Sequence, residues 1–171
     1  MAKSTQTPAP DLKAQVLEIL DEHRILSLAT LRADGWPQVT IVGYAHDDLT
    51  IYCTVGRTSQ KLANIERDPR VSIAVGHDDR GRLRGLSLAG SASPVTELQE
   101  IQRLNELIRR RYPEQSLFAP REQSCAVLQI TPKLISLIDL ARGPGLPLLL
   151  EVTSEISVRP IGAEASQGTL R

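Results

Sequence analysis

Aromatic side chains are scarce in this chain, with one Trp, one Phe and three Tyr in 171 residues. That scarcity argues against a platform for single-stranded nucleic acid, which stacks successive bases on several exposed rings. Cysteine is scarcer still. Cys53 and Cys125 are the only two, they lack C-x-x-C spacing, and both lie in apolar strand-like runs. Two such residues cannot make a secreted disulfide framework, so buried free thiols are expected. The unbroken apolar run of ~18 residues that a spanning helix needs is missing, and "MAKSTQTPAP" has no apolar signal core. The expectation is a cytoplasmic chain without membrane or nucleic-acid partners. Charge of one sign is not in excess either: Lys+Arg and Asp+Glu are 20 each. No overall field draws the chain to a polyanion, and any anion site must be local.

Several chemical signatures are also missing. There is no G-x-x-x-x-G-K-[ST] loop, no G-x-S-x-G elbow and no G-x-G-x-x-G after a strand. His23, His46 and His77 fall in different elements without H-x-x-x-H or H-E-x-x-H spacing, so no metal site is expected. His46 and His77 read as solvated turn residues beside aspartates. The three arginines of "DDRGRLRG" read as a flexible loop, and Trp36-Pro37 as packing at a hairpin end.

What remains is the composition of a globular domain, 41% hydrophobic and 23% charged, long enough for one core. Residues 1–10 are expected to form a loose arm, 11–160 a single domain and 161–171 a flexible tail. Asp11 is a plausible N-cap for a helix whose Leu12, Val16, Ile19, Leu20 and His23 share a face. From Arg24 the period changes to two. "RILSLATLR", "QVTIVGYA" and "LTIYCT" read as strands joined by the turns "ADG" and "HDD". Val39, Ile41 and Gly43 should face one side, and Thr40, Val42 and Tyr44 the other.

A short helix, "TSQKLANIERD", should end at Asp68-Pro69, because a proline disfavours helical geometry in the residue before it. "RVSIAVG" is a fourth strand, residues 77–85 a polar loop and "LSLAGSASPV" a fifth strand. Thr96 and Gln99 have capping-box spacing ahead of a helix whose stripe is Leu98, Ile101, Leu104 and Ile108. "SCAVLQI" and "KLISLIDL" make a sixth strand, interrupted at Thr131-Pro132, and "GPGLPLLLEV" adds a short one. Short connections leave no room for parallel crossovers. The reading is a mainly β fold, an antiparallel barrel with peripheral helices.

One stretch breaks a local rule. The helix near Thr58 or Ser59 begins with Arg57 and Lys61, although a helix start is the positive end of the dipole. Two hydroxyls, two cations and the unpaired N–H groups of a first helical turn converge within five residues. A phosphate would neutralise the cations and accept from the free donors. The bland reading is an N-cap with solvated basic side chains.

Together, "LSLATLRADGWPQVTIVGYAHDDLTIYCTVGRTSQKLANIERDPRVSIAV" and "LAGSASPVTE" resemble the pyridoxamine 5′-phosphate oxidase-like family of FMN-binding split barrels. The most specific part is "SQKLANIERDPRVS", and the likeness covers about residues 12–140. The resemblance implies a six-stranded split β-barrel that forms a homodimer with FMN sites at the interface. It implies that Lys61 and Ser59 hold the flavin phosphate, aided by Arg57 and Thr58. The ring would lie along Thr40 to Val42 and Cys53-Thr54. Arg57 is one residue out of register with the family's basic residues, Gln60 stands where an arginine is common, and Thr40 replaces an arginine of the oxidases. Residues 141–171 lack the oxidases' tryptophan- and arginine-rich ending, so vitamin-B6 oxidation is not expected. The resemblance points instead to a flavin-dependent oxidoreductase with an unassigned small-molecule substrate. The alternatives are a reductase using the deazaflavin F420 and a non-catalytic flavin or haem binder.

Overall fold

Alternating apolar residues can be buried on one face of a sheet only if that face is covered, and here the sheet covers itself by closing. The computed structural model describes residues 11–79, 82–113, 124–140 and 146–161. The arm and all but the first residue of the tail lie outside that set. Among the described residues three helices, α1 (Leu12–Glu22), α2 (Gln60–Arg67) and α3 (Leu98–Arg111), accompany eight strands. These are β1 (Ile25–Leu31), β2 (Pro37–Asp47), β3 (Thr50–Gly56), β4 (Arg70–Asp79), β5 (Arg82–Pro94), β6 (Cys125–Asp139), β7 (Leu148–Val152) and β8 (Val158–Pro160). The sheet order is β3-β2-β1-β4-β5-β6-β7-β8, and an added β3–β6 pairing closes the first six strands into an antiparallel barrel.

The alternation in β2 and β3 is the one expected: Val42, Tyr44, Ile51 and Cys53 enter the core, while Val39 and Ile41 face outward. Asp11 caps α1 by accepting from the Ala14 amide at 3.0 Å. Val16, Ile19 and Leu20 of α1 are fully buried in the barrel core. Leu62 and Ile65 of α2 enter the same core at the other end of β1, where Arg67 donates to the Leu31 carbonyl at 2.6 Å. α3 lies outside, with Leu104 against Tyr52 and Val127.

Several expectations are corrected. Most of the expected loop is strand: Gly76 pairs with Gly85 and His77 with Arg84, and the β4–β5 ladder runs on to Asp79↔Arg82. Thr96 is not the cap of α3; Glu97 is, with no side-chain bond. The sixth strand runs unbroken through Thr131-Pro132, because Lys133 is accommodated as a bulge between Gly90↔Pro132 and Ala89↔Leu134. A Cβ on Gly90 would meet the Thr131 carbonyl oxygen at 2.4 Å, so the close approach there needs glycine. Trp36 does not pack; it is 72% exposed. Strand β8 had no sequence expectation.

The basic end of α3 does more than match its own dipole. Arg111 reaches across to α1 and donates to the carbonyls of Leu20, Asp21 and His23, which have no acceptor role left within the helix. Beside it, the Tyr112 hydroxyl accepts from the Tyr44 amide at 2.9 Å and lies 2.7 Å from the Tyr44 carbonyl. Arg111→Met keeps the stem and removes the donors, so it should cost about 1.5–3 kcal/mol. In urea unfolding the midpoint should fall with the slope unchanged; an unchanged midpoint would contradict this capping role.

Candidate functional site

Strand β2 is paired with β1 from Pro37 to Gly43, but with β3 only from Tyr44 to Asp47. Strand β3 keeps β6 as its partner through Gly56. The barrel wall therefore opens between the first half of β2 and the end of β3, and the chain leaving β3 enters α2 beside that opening.

The turn is held by backbone bonds: Arg57 N–H donates to the Ser124 carbonyl at 2.9 Å and Ser59 N–H to the Gly56 carbonyl at 3.0 Å. Ser59 is the N-cap, and its hydroxyl accepts from the Leu62 amide at a long 3.4 Å. By position, the N–H groups of Gln60 and Lys61 have no acceptor within the helix. The first turn contains no acidic residue, and among the described residues no carboxylate pairs with Arg57 or Lys61. Arg57 and Thr58 are exposed, whereas Ser59 and Lys61 are half-buried. This is an uncompensated positive turn built from donors.

The inner wall of the opening carries Val42 and Cys53 in one apolar cluster. Thr40 is two residues from Val42 on the same strand face, and its buried Oγ1 has no hydrogen-bond partner. Burial pushes the Cys53 thiol up to about 12, with the Lys61 charge acting the other way. The thiol is therefore neutral at physiological pH and is not a nucleophile. Thr54 Oγ1 is likewise buried without a partner. It alternates with Cys53, however, and so faces the side that Tyr52 presents to α3. Of the eight residues singled out from the sequence, Val42 and Cys53 share the core cluster, Thr40 lies on the same face of β2, and Lys61 is near enough to Cys53 for its charge to act on the thiol. Arg57, Thr58 and Ser59 form the turn, and Thr54 faces outward.

Two groupings escaped the sequence. Asn64, 1% exposed, donates to Thr30 Oγ1 at 3.0 Å and Gln38 Oε1 at 3.1 Å, and accepts from Gln60 Nε2 at 2.9 Å. The available signal was an asparagine between Leu62 and Ile65 on the buried side of α2, where a polar group needs partners. The histidines were the second. His23 Nε2 and His77 Nδ1 lie 2.9 Å apart, and His46, in β2, contacts Asp21 at 3.0 Å. His23 and His77 are therefore not dispersed, and His46 and His77 lie in strands rather than turns, although His77 is exposed as expected. Even so, no group of three potential metal ligands occurs among the described residues.

The "DPR" string after α2 is a structural clip. Asp68 accepts from Arg70 N, Nε and Nη2, and those bonds hold its carboxyl down to about 2.

A family model described as pyridoxamine 5′-phosphate oxidase matches residues 12–139. The chain belongs to that family. General stress protein 26 of Bacillus subtilis (strain 168) is 39% identical over 71 residues, 42% of this chain and 50% of that protein. The match thus spans half the length of this curated relative. A family structure from Listeria innocua, titled a putative pyridoxamine 5′-phosphate oxidase, is 28% identical with a TM-score of 0.62. It covers 74% of this chain and 98% of its own. The haem storage protein HutZ of Vibrio cholerae, at 21% identity and TM-score 0.61, covers 72% and 91% and shares the fold. Among the described residues, no helix is long and apolar enough to cross a membrane.

In this family member the two thiols should differ in reactivity. Iodoacetamide at pH 8 should label half-buried Cys125 in the folded protein and leave buried Cys53 unmodified until unfolding. Mass spectrometry showing Cys53 labelled first would contradict the burial described above.

Proposed function

We propose that this chain binds FMN and serves as a flavin-dependent oxidoreductase for a small molecule. The observation that carries the reading is the turn from Gly56 to Lys61: two cations without carboxylate partners, a loosely engaged Ser59 hydroxyl and free helix-start N–H groups. A phosphate there would accept from the free donors and offset both charges, so Lys61 and Ser59 would be its main ligands, with Arg57 and Thr58 at the rim. The orphaned Thr40 Oγ1 fits a polar ring edge, because a buried hydroxyl without a partner is costly. Thr54 offers a second unpaired hydroxyl nearer the outer face. Val42 and Cys53 supply apolar wall. FMN would bring the redox chemistry, and this chain's part would be to bind, orient and exclude water. That division suits a site without an acid–base pair.

A homodimer fits the same picture. Ile25, Trp36, Val39 and Ile41 are 57%, 72%, 62% and 71% exposed on neighbouring strands and their connecting turn, an apolar patch that a second copy would cover. The second reading, haem binding, is motivated by HutZ. Among the described residues no histidine stands at the opening, since His23 and His77 bond to each other at the opposite end of β1. A deazaflavin would need further basic residues along a groove.

The visible spectrum of the protein loaded with FMN, F420 or haem separates the three. Replacing Lys61 with Ala removes one charged hydrogen bond of about 1.5–3 kcal/mol, so FMN affinity should fall about tenfold to a hundredfold. A Lys61→Ala protein that binds FMN like the parent would overturn the phosphate assignment.

A further inference from the structure

The side-chain amides around Asn64 run in one direction. Gln60 donates to Asn64, and Asn64 donates to Thr30 and Gln38. Since the Gln38 oxygen is engaged by Asn64, the two donors of Gln38 Nε2 are left over, and no described residue accepts from them. Gln38 is half-buried and precedes Thr40 by two residues, so both side chains share one face of β2. It also lies on the stretch where β2 has no β3 neighbour. An amide aimed by a buried partner, with unused donors beside an orphaned hydroxyl, is recognition chemistry for a neutral or anionic acceptor.

We propose that Gln38 is a cofactor-recognising residue that donates to a carbonyl oxygen or ring nitrogen of the isoalloxazine, and that Asn64 is the positioning residue that orients it. This rests on the flavin reading above. A donor at that edge favours the reduced ring, which carries more negative charge, because hydrogen bonds to charged acceptors are the stronger ones.

The test is FMN titration and midpoint potential for the parent, Gln38→Leu, Gln38→Glu and Asn64→Asp. Gln38→Leu should weaken FMN binding about five- to tenfold. Its potential should fall by about 30 mV, the equivalent of a tenfold loss of preference for the reduced form. Gln38→Glu, which offers only acceptors and a negative charge, should lose more. Asn64→Asp presents only oxygens to Gln38, so the amide should turn around and the potential should drop without any change at Gln38 itself. A Gln38→Leu protein matching the parent in affinity and potential would overturn the assignment, as would a Gln38→Glu protein binding as tightly as the parent. A parent that takes up no FMN would remove the flavin reading and this assignment with it. A parent that binds, with variants that match it, would remove this assignment alone.

Discussion

The early parting of β2 from β3 is the constraint on which the candidate site depends. One edge of β3 pairs with β6 along its length, from Ile51↔Ile130 to Gly56↔Cys125, while its other edge pairs with β2 only from Thr50 to Cys53. Strand β2 is thereby left with one neighbour from Pro37 to Gly43. The wall of an otherwise closed barrel gains an opening, and α2 is delivered beside it by the turn that ends β3.

The position of α2 follows from two kinds of contact. Leu62 and Ile65 bury apolar surface in the barrel core, which favours attachment without setting a direction. Asn64 adds direction, because its hydrogen bonds to Thr30 and Gln38 are satisfied in one orientation of the helix. The first turn, with its unpaired N–H groups and Lys61, follows directly on the end of β3. The dipole misfit at Arg57 and Lys61 costs a few tenths of a kcal/mol up to about 1 each, small beside the burial that holds the helix in place. The fold can therefore carry an unfavourable helix start, and an anion would relieve it.

Much of this was legible in the sequence where the signal is local. The two-residue period of β2 put Val42 and Tyr44 on one face and Val39 and Ile41 on the other, and Thr58 or Ser59 marked the helix start. The rest depends on contacts distant in sequence. The polar run after Gly76 read as a loop because its ladder hydrogen bonds, and the pairing of Arg84 with Glu18 and Glu22 of α1, leave no trace in composition. Thr96 had the right spacing for a cap, but the backbone places Glu97 there. His23 and His77 are 54 residues apart, and only the packing of α1 on the barrel brings them together. Gln38 and Asn64 read as unremarkable polar residues until α2 is docked. The family resemblance supplied the fold and the turn, yet it said nothing of the amide relay.

The central claim is that the Gly56–Lys61 turn is a phosphate site, and a comparison of FMN with riboflavin tests it most directly. The two differ only in the phosphate, so calorimetric titration of each isolates the turn's contribution. The account predicts that FMN binds at least tenfold more tightly, and that raising salt narrows the gap as the exposed charges are screened. Equal affinity for the two flavins would contradict it.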